Sequence, residues 1–133
     1  MFNEGGYFYV YFTYGAHFCS NVVTGRSDHG AAVLIRAVEP LIGIDKMIKN
    51  RFNTKLKSEK EIYNLTSGPG KVCKAFGFTK VHSGLDLTNS AVFIVDQPKL
   101  RKNKIGVSKR IGITKSVSLP WRFFEFGNPY LSR

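Results

Sequence analysis

Tyr7-Phe8-Tyr9-Val10-Tyr11-Phe12-Thr13 is the stretch on which the fold turns. Every residue in it is aromatic or β-branched, the types that suit a pleated, half-buried surface. Side chains alternate across a strand, so Phe8, Val10 and Phe12 take one face and Tyr7, Tyr9 and Tyr11 the other. The first face is wholly apolar and is expected to pack on the core. The second carries phenol hydroxyls and is expected to border a pocket or water. Gly15, just after Tyr14, supplies the positive φ that a tight loop needs, and His17 to Val23 returns as the partner strand. A two-residue loop at 14–15 would pair Thr13 with Ala16 and set Asn21 across from Phe8. A three-residue loop pairs Thr13 with His17 and sets Asn21 across from Tyr9, so that Tyr9, Tyr11 and Asn21 share a face with Tyr14 at the tip. The residues alone leave both registers open.

Outward from the hairpin, Gly25 to Gly30 is a polar turn, and Ala31 to Val38 reads as a strand buried on both faces and interrupted by Arg36. Pro40 ends it. Leu41 to Arg51 has the apolar spacing of a short helix (Leu41, Ile44, Met47, Ile48). Thr66-Ser67 reads as a helix N-cap, with Pro69 in the first turn of a helix running to about Phe76. Ala91 to Val95, Ile105 to Val107, Arg110 to Thr114 and Trp121 to Phe126 are expected as further short strands. This pattern predicts an α+β fold: a single domain over 1–133 on a curved, mostly antiparallel, open-barrel-like sheet, with a few packed helices and a protruding β-hairpin.

A chain of 133 residues with 43% hydrophobic and 14% aromatic content can bury one core. No apolar run reaches the ~18 residues of a membrane helix, and Asn3 and Glu4 stand where a signal peptide would be positive, so a soluble cytosolic protein is expected. Cys19 and Cys73 form no Cys-x-x-Cys pair and are expected as free thiols. His17, His29 and His82 lack metal-ligand spacing, and no metal site is expected. Net charge is the first functional signal. Of the total of +11, the stretch from Gln97 onward carries +8, with Lys99, Arg101, Lys102, Lys104, Lys109 and Arg110 inside twelve residues. Such a field attracts phosphates and releases their counterions, which points to nucleic acid rather than to a merely solvated face.

Three features carry candidate chemistry. Gly68-Pro69-Gly70-Lys71 lacks the spacing of a nucleotide-binding loop, but free N–H groups at this helix start, with Lys71 beside them, suit a DNA phosphate as well as ordinary capping. Arg36, a guanidinium inside an apolar strand, must find partners: either a structural pair with Glu39 or a backbone carbonyl, or an active-site role. Tyr14 at a hairpin tip either packs on its own sheet or enters a duplex as a wedge.

Taken together, the chain resembles the methylpurine (3-methyladenine) DNA glycosylases of the alkyladenine type. The resemblance runs in order through Tyr9-Val10-Tyr11-Phe12-Thr13-Tyr14-Gly15, Cys19-Ser20-Asn21, Val33-Leu34-Ile35-Arg36-Ala37-Val38-Glu39-Pro40 and Leu65-Thr66-Ser67-Gly68-Pro69-Gly70-Lys71. It continues through Arg110-Ile111-Gly112-Ile113, Pro120-Trp121-Arg122-Phe123 and Gly127-Asn128-Pro129-Tyr130. It implies excision of alkylated or deaminated purines from duplex DNA in base-excision repair, by nucleotide flipping and hydrolysis of the N-glycosidic bond. It implies Tyr14 as the intercalating wedge, Tyr11 as an aromatic stacked on the flipped base, and Asn21 as the pocket residue that disfavours the guanine 2-amino group. Arg36 and the backbone carbonyl of Ile111 are implied to order the attacking water, and Gly70, Lys71, Lys109, Arg110 and Gly112 to meet the DNA backbone. The resemblance implies neither cofactor nor metal and no membrane partner; a monomer is expected, in the cytoplasm with the nucleoid if bacterial and in the nucleus if eukaryotic. A cationic alkylated purine is already a good leaving group, so the remaining needs are a positioned water and a general base.

The sequence departs from the family where that base belongs. The family's glutamate lies in a Glu-x-Glu-Ala-Tyr-like segment upstream of the hairpin, to which nothing here corresponds; Glu4, Asp28 and Glu39 are the nearest acids and stand in other contexts. Ala16 replaces the methionine usual beside the wedge. The domain is therefore expected to be N-terminally truncated: an enzyme in family, with a catalytically inactive DNA-binding remnant or an unstable fragment as alternatives.

Overall fold

A computed structural model describes every residue except Tyr14, Lys55, Lys57 and Arg133, and the backbone alone for Glu59. Three strands, β1 (Phe8–Thr13), β2 (His17–Thr24) and β3 (Ala31–Leu34), form an antiparallel sheet in the order β1-β2-β3. Thr13 pairs with His17 and Tyr9 with Asn21, so the longer of the two loops joins the strands, through residues 14–16. Gly15 takes φ 64° there, and the Ala16 N–H closes back on the Thr13 carbonyl at 3.0 Å.

The apolar face of β1 is buried as its alternation requires, but only in part. Phe8 and Val10 form a core cluster with Leu87, flanked by Phe18, Val22, Ile35, Phe78, Leu85 and Val92. Phe8 meets Phe78 edge-on at 5.0 Å. Phe12, nearer the tip, is exposed and meets the Phe18 ring at 5.0 Å. The outer edge of β1 is occupied too: Phe8 N–H donates to the Leu85 carbonyl and Gly84 N–H to the Phe8 carbonyl. An edge satisfied in this way does not invite another strand.

Two helices pack beside the sheet. Helix α1 (Ile44–Phe52) and helix α2 (Pro69–Phe76) enclose a second cluster of Met47, Leu65 and Ala75, and Asn50 Nδ2 ties them by donating to the Ala75 carbonyl at 2.9 Å. A 3-10 helix over Glu59–Asn64 lies in the stretch between them. Gly68, in extended backbone, is the residue before α2; the expected Thr66-Ser67 cap does not form, because the Thr66 hydroxyl is buried and donates to the Val38 carbonyl at 2.5 Å. No helix among the described residues is long and apolar enough to cross a membrane.

Strands β4 (Ile105–Ser108) and β5 (Arg122–Glu125) make a separate antiparallel pair, so the α+β architecture holds while its strands divide between two sheets. Two expected strands are absent. At 91–95, Phe93, Ile94 and Val95 are exposed, and Ile94 N–H bonds back to the Leu87 carbonyl without a ladder. At 110–114, Gly112 turns to φ 69°, which breaks an extended run. Likewise β3 stops at Leu34 and is the free edge of its sheet, with Val33 exposed rather than buried on both faces.

Candidate base pocket and nucleic-acid interface

The register assembles the site's floor. Asn21 lies opposite Tyr9 on one side and Leu34 on the other, so Tyr9, Tyr11, Cys19, Asn21 and Leu34 share one sheet face. The rings of Tyr9 and Tyr11 stack at 5.4 Å with an interplanar angle of 27°. Asn21 is buried, and its Nδ2 donates to the Tyr9 carbonyl at 3.1 Å. The face thus offers a flat π surface, with Tyr11 37% exposed, beside one fixed amide. Ile35 N–H donates to the Ser20 carbonyl, which continues the pairing past β3 and gives Arg36 the same parity. Its guanidinium is in electrostatic reach of Cys19.

Arg36 also lines a cleft of about 950 Å³ between residues 30–39 and the β4–β5 pair with the chain that flanks it. Ile111 lines the same cleft; Tyr11 and Asn21 do not, and lie on the neighbouring sheet face. Among the described residues neither of the two structural partners foreseen for Arg36 bonds it; Nε donates instead to the Ser132 hydroxyl at 3.0 Å. Gly112 lies against the guanidinium, where an added Cβ would come within 3.2 Å of Nη2, and the positive φ at this position suits glycine as well. Burial, and after it the neighbouring Arg122, push Arg36 below its ordinary range, while Cys19 works the other way. An arginine remains charged at neutral pH despite this.

Two carboxylates line the cleft as well. Asn128 Nδ2 donates to Glu39 Oε2 at 2.9 Å and to Glu125 Oε2 at 3.3 Å, while its Oδ1 accepts the Tyr130 N–H. Glu39 was visible in the sequence as an acid near Arg36, whereas Glu125 was not singled out. The Gly127-Asn128-Pro129 turn two residues after it was the available signal. Glu4 and Asp28 are both exposed.

The residues expected at the DNA backbone fall into two groups. Lys109 is exposed and Arg110 half-buried in the cleft wall; Lys99, Arg101, Lys102 and Lys104 are all exposed. Gly70 and Lys71 sit at the start of α2 beside the hairpin. A Cβ on Gly70 would fall 2.6 Å from Cγ of His17, so the glycine is what lets the helix start lie against β2. Lys71 bonds through Nζ to Asn64 Oδ1, with Ser67 Oγ at 3.4 Å. Burial, then Arg51, lower its pKa. Tyr14, the expected wedge, lies outside the described residues. Sequence reasoning missed Ser132, whose contact with Arg36 spans 96 positions and leaves no local signal.

A basic α+β chain with an aromatic, amide-bearing sheet face beside a half-buried guanidinium defines a nucleic-acid-facing class of site. Comparison with known proteins makes the class specific: residues 1–129 match the family model described as methylpurine-DNA glycosylase (MPG). A relative from Alkaliphilus oremlandii, provisionally named a 3-methyladenine DNA glycosylase, is 41% identical over all of this chain and 68% of its own length. Relatives with the same provisional name from Chlorobaculum parvum (40% identical, 99% of this chain, 60% of the relative) and Clostridium novyi (42%, 100% and 68%) agree. The chain belongs to the methylpurine-DNA glycosylase family. It spans roughly 60–68% of the length of these relatives.

Proposed function

We propose that this chain carries the base-holding and duplex-opening part of a glycosylase that removes alkylated or deaminated purines from duplex DNA. The observation that carries the reading is the shared sheet face: the stacked Tyr9–Tyr11 pair, the buried Asn21 amide and Arg36 all have one parity. A cationic purine base stacks well on electron-rich rings, and the amide beside them can read its edge. Tyr14 fills the gap left by the flipped nucleotide. Arg36 and the Ile111 carbonyl order the water, and the Lys99–Arg110 field, with Gly70, Lys71 and Gly112, meets the phosphates.

A second reading, duplex binding without base release, is favoured by a specific arrangement. Both cleft carboxylates already accept hydrogen bonds from Asn128 Nδ2. A general base contributes about 10²–10⁴-fold, so residues 1–133 alone are expected to release hypoxanthine or methyladenine at least ~10²-fold more slowly than a longer relative. Duplex binding should persist, and should weaken steeply as salt rises. Base release at the relative's rate would sink the second reading; failure to prefer lesion-containing duplex in binding would sink the first. Tyr14→Ala should lower that preference, and Arg36→Ala should lower release without lowering affinity.

A further inference from the structure

The contacts around Arg36 extend past the residues that the proposed chemistry uses. Ser132 is 5% exposed, although it stands in a stretch without helix or strand. Two guanidinium groups meet it on different atoms. Arg36 Nε donates to its hydroxyl at 3.0 Å, and Arg122 Nη2 donates to its carbonyl at 2.7 Å. Arg122 also reaches back with Nη1 to the Ser108 hydroxyl at 3.0 Å and lies over the Phe124 ring at 4.7 Å. Its planar fork therefore joins the end of β4 to the C-terminal segment, which a lysine ammonium could not do with the same geometry. Bringing two like charges together works against burying either one. The hydrogen bonds to Ser132 and Ser108 offset that repulsion in the fold.

We infer that Ser132 is a positioning residue for Arg36, and that Arg122 is the clamp that holds Ser132 in place. Arg36 Nε carries a single N–H in the plane of the guanidinium, so a bond there fixes where that plane lies and how it is turned. Gly112 lies against its Nη end, where an added Cβ would come within 3.2 Å of Nη2. Arg36 itself lines the cleft. The role given to Arg36 in base release rests on the function proposed above; its orientation by Ser132 does not.

The test therefore has two arms on the 133-residue chain and, for the rate, on a longer relative with the matching serine. In the first, solvent exchange of the Arg36 Nε–H is followed by NMR. Ser132→Ala should speed it about 3- to 10-fold, the factor that one net hydrogen bond represents, and Ser132→Thr should restore it. Arg122→Lys, which keeps the charge and loses the fork, should reproduce the Ser132→Ala result. In the second arm, single-turnover base release should fall about 10- to 100-fold in Ser132→Ala through loss of orientation, with duplex affinity changed less than about twofold. Unchanged Arg36 exchange in Ser132→Ala overturns the inference, as does unchanged exchange in Arg122→Lys should the alanine variant fail to fold. Altered exchange without altered release leaves Ser132 as the residue that orients Arg36 and removes Arg36 from the chemistry, which counts against the proposed function instead.

Discussion

The β1–β3 sheet and the β4–β5 pair are built from similar residues and solve opposite problems. In the first, the apolar face of the hairpin base is closed over, with Phe8 at 2% and Val10 at 3% exposure, and the edge of β1 is bonded to 84–85. In the second, Val107 and Phe123 pair across the strands and both stay open, at 54% and 69%. What holds the second pair in place is polar: the Arg122 fork on Ser108 and Ser132, and Asn128 between Glu39 and Glu125. Buried apolar area supplies most of a small domain's stability, whereas hydrogen-bonded clamps fix geometry at small net gain. The first sheet is thus the part that keeps the chain folded, and the second is the part that aims groups into the cleft.

The largest expected effect tests that division directly. Phe8→Ala should cost about 3–5 kcal/mol, since the ring is fully buried against Phe78 and Leu87. Phe123→Ala, at an open position, should cost about 0.5 kcal/mol or less. Urea unfolding of both variants measures the contrast. Comparable losses would mean that the second pair is as much a part of the core as the first, and the division would fail.

What could be read beforehand follows the same line. The β1 alternation was legible because each residue there is decided by a period of two, and Gly15 marks the turn that joins it to β2. Burial then ran out at Phe12, because alternation fixes which face a residue takes but not how far along the strand a partner surface extends. The strands expected at 91–95 and 110–114 failed for lack of such a surface: apolar residues in a short run suit a strand only where another strand offers a ladder. Arg36 announced itself as a charge in an apolar run, and a structural pair could be weighed against an active-site role for it. Its actual partner lies 96 positions away in an irregular segment, and no periodicity carries information over that distance.

An intermediate effect sharpens the comparison through two close approaches that look alike. A Cβ on Gly70 would stand 2.4–3.1 Å from Cδ2, Cγ and Cβ of His17, atoms close to the β2 backbone. A Cβ on Gly106 would stand 2.4 Å from Cε2 and Cζ of Phe124, the far end of a ring on an open pair. Gly70→Ala should therefore cost about 1–3 kcal/mol by pushing α2 off the hairpin, and Gly106→Ala less than about 1 kcal/mol as the ring swings aside. Thermal melts of the two variants decide it. The reverse order would show the β4–β5 pair to be the more rigid of the two.

The smallest effect concerns the two thiols, which belong to the closed side of the molecule. Cys19 and Cys73 are both free and buried, and burial raises the pKa of each above the usual thiol range; the Arg36 charge only partly opposes this at Cys19. In the unfolded chain both would ionise near the ordinary value of about 8.5. The sign of the linkage follows from that difference. Below about pH 8.5 both states hold their thiol protons and the groups add no pH dependence; above it the unfolded chain loses protons that the folded one keeps, so stability falls as pH rises toward the folded values. A Cys19→Ala, Cys73→Ala double variant should therefore lose stability less steeply than the parent between about pH 8 and pH 10, whatever its stability at neutral pH. Comparing the slopes, not the absolute melting temperatures, separates ionisation from lost packing. Equal slopes would mean that the α2–β2 side opens to water as readily as the exposed β4–β5 face.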